Sequence, residues 1–213
     1  MSAHCCAGHD HHGGNDPRYR RVLWIALFIN IAMFAVEIAG GFAAGSVSLL
    51  ADAVDFFGDA ANYGLSLAVL SLGLAWRARA ALIKGVSMGV FGLFVLAKAL
   101  WAALSGSVPE PMIMGTIGAM ALTANVAVAV MLYAWRDGDA NMRSVWLCTR
   151  NDALGNIAVM LAALGVFGTG SAWPDLIVAV IMAGLALTAA TSVVRAAARE
   201  LSLTPSPHHH GSH

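Results

Sequence analysis

The chain has 213 residues, 59% of them hydrophobic and only 11% charged, with a formal net charge of zero and a mean hydropathy of +0.72. Soluble domains carry about 25% charged residues, so this composition belongs to an integral membrane protein. It leaves no basic patch for nucleic acid. The three cysteines form no disulfide framework, because Cys5 and Cys6 are adjacent and Cys148 lies in an apolar run.

The first 21 residues, "MSAHCCAGHDHHGGNDPRYRR", are polar. They do not read as a signal peptide, since no small-residue cleavage site follows the first apolar run. Within them, His4, Cys5, Cys6, His9, Asp10, His11 and His12 put seven potential metal ligands into nine residues. Such tracts bind metals, so this tail is either a cytoplasmic metal-gathering arm or an unstructured segment with incidental affinity. Six apolar segments follow, at Val22–Ala43, Val47–Leu72, Leu82–Leu104, Met112–Trp135, Ser144–Val166 and Trp173–Val194. Each reaches the roughly 20 residues needed to cross a bilayer. The expected fold is an all-α bundle of six transmembrane helices.

Gly, Ser and Pro supply turn chemistry in "GSV", "SGSVPEP" and "GTGSA". Basic residues sit on alternate sides of the spans. Arg18, Arg20 and Arg21 precede helix 1; Arg77, Arg79 and Lys84 lie between helices 2 and 3; Arg136 and Arg143 lie between helices 4 and 5; Arg195 and Arg199 follow helix 6. The other links carry no Lys or Arg, and one holds Glu110. The positive-inside rule then places both termini in the cytoplasm. The residues after helix 6 are too few for a folded domain. Their histidines, His208 to His210 and His213, either repeat the metal affinity of the first tail or are an added tag.

The chemistry lies in the acids of the spans. "LLADAVDFFGDAANYG" carries Asp52, Asp55 and Asp59 in one apolar helix. Asp52 near the outer end and Asp175 in the first turn of helix 6 read as bracing or capping acids. Asp55 and Asp59 are four apart and share one helix face, where like charges repel. Protonation, a cationic side chain or a bound cation must relieve that repulsion. Helix 5 offers Cys148 and Asp152 at the same spacing, in "CTRND". If helices 2 and 5 pack antiparallel, Asp55 should level with Asp152 and Asp59 with Cys148. Three carboxylates and a thiolate then surround one divalent cation, and the thiolate shifts preference toward Zn²⁺ or Cd²⁺. Counting from the helix ends leaves the two pairs about 9 Å out of level at 1.5 Å per residue, within the reach of tilt and boundary shifts. The competing readings are a static network neutralised by Lys98 or Arg150, and Cys148 as a small packing residue. Asn62 and Asn156 share faces with the two pairs, as outer hydrogen-bond partners of the ligands or as interhelical packing contacts. Asn30 and Glu37, seven apart on helix 1, line the cavity or bond neighbouring helices.

With these residues in view, the chain resembles the cation diffusion facilitator family of divalent-metal transporters, from about Arg20 to Glu200. "FAVEIAGGFAAGSVSLLADAVDFFGD", Phe34 to Asp59, is similar to the family's helix 1 to helix 2 signature, and "NDALGN", Asn151 to Asn156, to its helix 5 motif. The resemblance implies metal/proton antiport, with Zn²⁺ or a related divalent cation as cargo and H⁺ as counter-ion. No Ser/His or H-E-x-x-H constellation is present and the spans from Val22 to Val194 contain no His, so an enzyme is the most distant reading and no cofactor is expected. The resemblance implies a transport site of Asp55, Asp59, Cys148 and Asp152, a homodimer, and location in the bacterial inner membrane. Cys148 stands where the family usually has histidine, which points toward softer ions. The family commonly adds a cytoplasmic C-terminal domain, so the sequence reads as a short form reduced to the membrane domain. The functional alternative is a non-transporting membrane metal sensor, or a subunit modulating another transporter.

Overall fold

A computed structural model describes residues 17–68, 74–135, 137 and 140–203. These form six helices: α1 (Pro17–Ala44), α2 (Val47–Ala68), α3 (Leu74–Ser105), α4 (Pro111–Leu132), α5 (Ala140–Thr169) and α6 (Trp173–Leu203), with a 3₁₀ turn at Tyr133–Trp135 after α4. The expected helical bundle is what the chain forms. Five helices are long and apolar enough to cross a membrane, and the chain is a multi-pass integral membrane protein. The helix that falls outside this set is α2, whose 22 residues hold three aspartates. At 1.5 Å per residue it still spans about 33 Å.

Several helices extend past the apolar cores read from the sequence. α3 begins at Leu74 rather than Leu82, α5 at Ala140 rather than Ser144, and α6 ends at Leu203 rather than Val194. Hydropathy sees only the lipid-embedded turns, whereas a helix continues wherever its backbone bonds are satisfied, including in the wet interface. As a result Arg77, Arg79, Arg143, Arg195 and Arg199 lie on helices rather than in links. Lys84, expected in a link, lies inside α3 and is buried. Residues 17–20, expected in the N-terminal tail, are helical.

α1, α3 and α5 all end in the same way. Gly45 (φ 66°), Gly106 (φ 66°) and Gly170 (φ 60°) follow their last residues in the left-handed conformation, which a Cβ disfavours. The glycine-bearing links expected to turn the chain are therefore its turns. The α3–α6 contact also depends on missing side chains. A Cβ on Gly85 would lie 2.9 Å from Val194 Cγ2, and one on Gly92 3.1 Å from Leu187 Cγ. Small residues let membrane helices approach this closely.

α2 occupies the centre. It packs against every other helix, and 13 of its 22 residues are buried. α4, of equal length, buries 6 of 22 and turns Met112, Met120, Val126 and Val130 outward. Around α2 the apolar core gathers Leu49, Val54, Val95, Met114, Val159 and Ala179. A second cluster of Tyr19, Leu23, Ala26, Tyr63, Val128 and Leu132 closes the other end.

The start of α2 is fixed by another helix. Asp175, in the first turn of α6, accepts from Val47 N (2.8 Å), Ser48 N (3.0 Å) and the Ser46 hydroxyl (2.7 Å). Ser46 Oγ accepts in turn from Leu49 N (3.2 Å). A carboxylate at these orphan donors meets both the hydrogen-bond deficit and the positive end of the dipole. Asp175 is thus a bracing acid, as expected, but it braces α2 as well as heading its own helix. Asp175→Ala should lower the free energy of unfolding by about 1–3 kcal/mol, read as a reduced melting temperature in detergent, with Asp175→Asn between that variant and the wild type.

Candidate metal centre

Asp55 and Asp59 project from α2 and Cys148 and Asp152 from α5, two helices in direct contact. Asp59 is buried; Asp55, Cys148 and Asp152 are half-buried. The carboxyl groups of Asp59 and Asp152 meet within hydrogen-bonding reach, and Asp55 interacts electrostatically with both. The expected levels were Asp55 with Asp152 and Asp59 with Cys148; the observed partner of Asp152 is Asp59. The Asp52–Asn156 and Tyr63–Thr149 bonds fix the register of the two helices, and Asp55, Asp59 and Asp152 lie between these two levels. Among the described residues, no three His, Cys, Asp or Glu side chains are drawn together closely enough to hold an ion as they stand.

Asp59 is further fixed by hydroxyls. Tyr63 donates to Asp59 Oδ2 at 3.1 Å, and its oxygen lies 2.7 Å from Thr149 Oγ1. Tyr63 has a single proton, so when it serves Asp59, Thr149 is the donor to Tyr63. The sequence held a signal for this: Tyr63 is one turn past Asp59, and Thr149 lies beside Cys148. Neither cation considered from the sequence reaches the acids by a hydrogen bond. Lys98 stands 5.9 Å from the centre of the Phe42 ring; Arg150 is exposed, bonded to Asn151 and set over Trp146. The lysine nearest the site is Lys84, whose charge acts on Asp59 and whose ammonium donates to Asn62 Oδ1. Asn62 thus serves a lysine of α3.

A separate polar seam crosses the bundle beside the four residues. Asn156 Nδ2 donates to Asp52 Oδ2 (2.7 Å) and Asn125 Nδ2 to Asn156 Oδ1 (2.9 Å), joining α2, α5 and α4. Glu37 of α1 stands against Asp52. No N–H or hydroxyl donor among the described residues reaches either Glu37 oxygen or Asp52 Oδ1, so the two carboxyl groups have each other. Asn30 bonds within its own helix, to Ala26 O at 2.8 Å. Asn156 therefore serves Asp52. The N-terminal candidates His4, Cys5, Cys6, His9, His11 and His12, and the C-terminal histidines, lie outside the described residues.

The family profile described as the cation efflux transmembrane domain matches residues 23–79 and 75–202. The chain belongs to the cation efflux family. It is 28% identical over 205 residues to a cadmium, cobalt and zinc/H⁺-K⁺ antiporter of Bacillus velezensis, covering 88% of this chain and 63% of that protein. It is 26% identical over 191 residues to the metal cation efflux system protein CzcD of Cupriavidus metallidurans, covering 82% and 58%. The zinc transporter ZitB of Escherichia coli is 26% identical over 214 aligned positions, covering 93% and 67%. The chain thus spans about three fifths of the length of the first two.

Asn156→Ala should leave Asp52 Oδ2 without its donor. The expected cost is about 1–3 kcal/mol of stability, seen as a lower melting temperature in detergent.

Proposed function

We propose that the protein exports divalent transition-metal cations from the cytoplasm, Zn²⁺ foremost and Cd²⁺ or another soft ion as further cargo, in exchange for protons. The transport site is Asp55, Asp59, Cys148 and Asp152. The observation that carries the proposal is the Asp59–Asp152 pair between α2 and α5, with Asp55 beside it. Carboxylates facing one another in a low-dielectric interior require a counter-cation or a proton. The names of the relatives, which carry zinc, cadmium and cobalt, support the choice of cargo.

Tyr63 and Thr149 hold Asp59 in place, and drawing in Asp55 and Cys148 on metal binding completes a four-coordinate set of the kind Zn²⁺ prefers. The thiolate of Cys148 widens the range toward Cd²⁺. Metal ligands must be deprotonated, so metal uptake at the inner face releases protons and protons entering from outside expel the metal. That linkage couples the two fluxes at a single site. With the basic helix ends inward, α2 supplies the sixth crossing, both termini are cytoplasmic and the membrane is the bacterial inner membrane. The working unit is a homodimer. The N-terminal Cys/His tail gathers metal on the cytoplasmic side.

Proteoliposomes with an imposed pH gradient test this. Asp59→Ala and Asp152→Ala should each lower Zn²⁺ flux by at least about 100-fold; wild-type flux in either removes the site. Cys148→His should keep Zn²⁺ flux and lower the Cd²⁺/Zn²⁺ ratio. Lowering the pH should weaken Zn²⁺ binding to the wild type, because protons compete for the same oxygens and sulfur.

A further inference from the structure

Lys84 is the one lysine or arginine among the described side chains that is buried, at 6% exposure. Charged lysines are almost never buried without a partner. Its ammonium donates to Asn62 Oδ1 on α2, and its charge acts on Asp59. Asp55, Asp59 and Asn62 lie at successive turns of one face of α2. Asn62 is therefore the step beyond Asp59 toward the α2 C-terminus, the end that the basic residues assign to the cytoplasm. The acidic groups that act on one another here are Asp52, Asp55 and Asp59 from α2, Glu37 from α1 and Asp152 from α5, and Lys84 from α3 acts on Asp59. An amide holds the ammonium beside the acids without neutralising it, and a lysine stem is long enough to withdraw toward water.

We propose that the Lys84 ammonium is a tethered stand-in cation for the acid site. It holds the inner side of the Asp59–Asp152 pair when no divalent ion is present and withdraws when one binds. Lys84 thereby sets how tightly the site holds its cargo. This rests on the four-residue transport site proposed above and adds its internal competitor. A fixed positive charge near the carboxylates stabilises the empty site and repels the incoming ion, and both effects favour release. Lys84 is a positioning residue, since it touches Asn62, one turn from Asp59, and not the metal.

Zn²⁺ itself is the probe, titrated against the full-length protein in detergent by competition with a chelator of known affinity. The part of the binding lost in Asp59→Asn defines the site. In Lys84→Gln that part should tighten by about tenfold, and in Lys84→Arg it should stay within about twofold of wild type. A purely structural lysine gives the opposite sign, since its loss loosens the site. Unchanged or weaker Asp59-dependent affinity in Lys84→Gln overturns the proposal and leaves the site intact. If Asp59→Asn loses no binding, the site reading falls and the role of Lys84 with it.

A second measurement needs no variant. The chain has only two lysines, Lys84 and Lys98, so amine acetylation mapped by mass spectrometry reports Lys84 against Lys98 as internal reference. Saturating Zn²⁺ should raise labelling of Lys84 several-fold and leave Lys98 unchanged. Equal labelling of Lys84 with and without Zn²⁺ overturns the displacement.

Discussion

The bundle is organised by the impossibility of placing α2 against lipid. Three aspartates on one helix, each costing about 2.5–3.5 kcal/mol at the centre of a bilayer on insertion scales, forbid it an outer position. α2 is therefore enclosed by the other helices, and they are free to turn Phe28, Leu93, Leu104, Leu164 and Phe167 outward. The apolar residues at the periphery and the acids at the centre follow from one constraint.

Enclosure creates a second requirement, because each buried polar atom needs a partner. Asp175 meets the open amides at the start of α2, Asn156 and Asn125 carry the load of Asp52, and Tyr63 with Thr149 attends Asp59. These contacts come from α6, α5, α4 and α2 itself. α2 is thus held by directional bonds in addition to its apolar packing, whereas α3 and α6 meet through glycine-lined apolar surfaces. Directional bonds fix rotation and register, and register decides which acids can face one another.

The sequence made the helices legible because apolar runs and left-handed glycines carry local signals: Gly45, Gly106 and Gly170 turn the chain where the glycine-bearing links lie. The i, i+4 pairs on α2 and α5 were equally legible, since spacing alone fixes a shared face. What spacing does not encode is interhelical level. That level is set by contacts between distant residues, the Asp52–Asn156 and Tyr63–Thr149 bonds, and it brings Asp59 to Asp152. Lys84 escaped for another reason. Hydropathy registers where a helix meets lipid and not where it continues, so a lysine eleven residues into α3 read as part of a link. Asp175 announced a helix start but not that the start it serves is that of α2, because the partner lies more than 120 residues away in sequence.

The bond set between Asp175 and Ser46–Ser48 gives α2 a fulcrum. Once the Tyr63–Thr149 and Lys84–Asn62 contacts at its far end are released, the helix can swing about this point, and displacement grows in proportion to distance from the pivot. At 1.5 Å per residue Asp52 lies about 7.5 Å along the axis from Val47 and Asp59 about 18 Å. The same angular swing therefore carries Asp59 more than twice as far as Asp52. The Asn156 bond to Asp52 sits on the short arm, where movement strains it least. Asp59 and Asn62 ride the long arm, where a few degrees become ångströms.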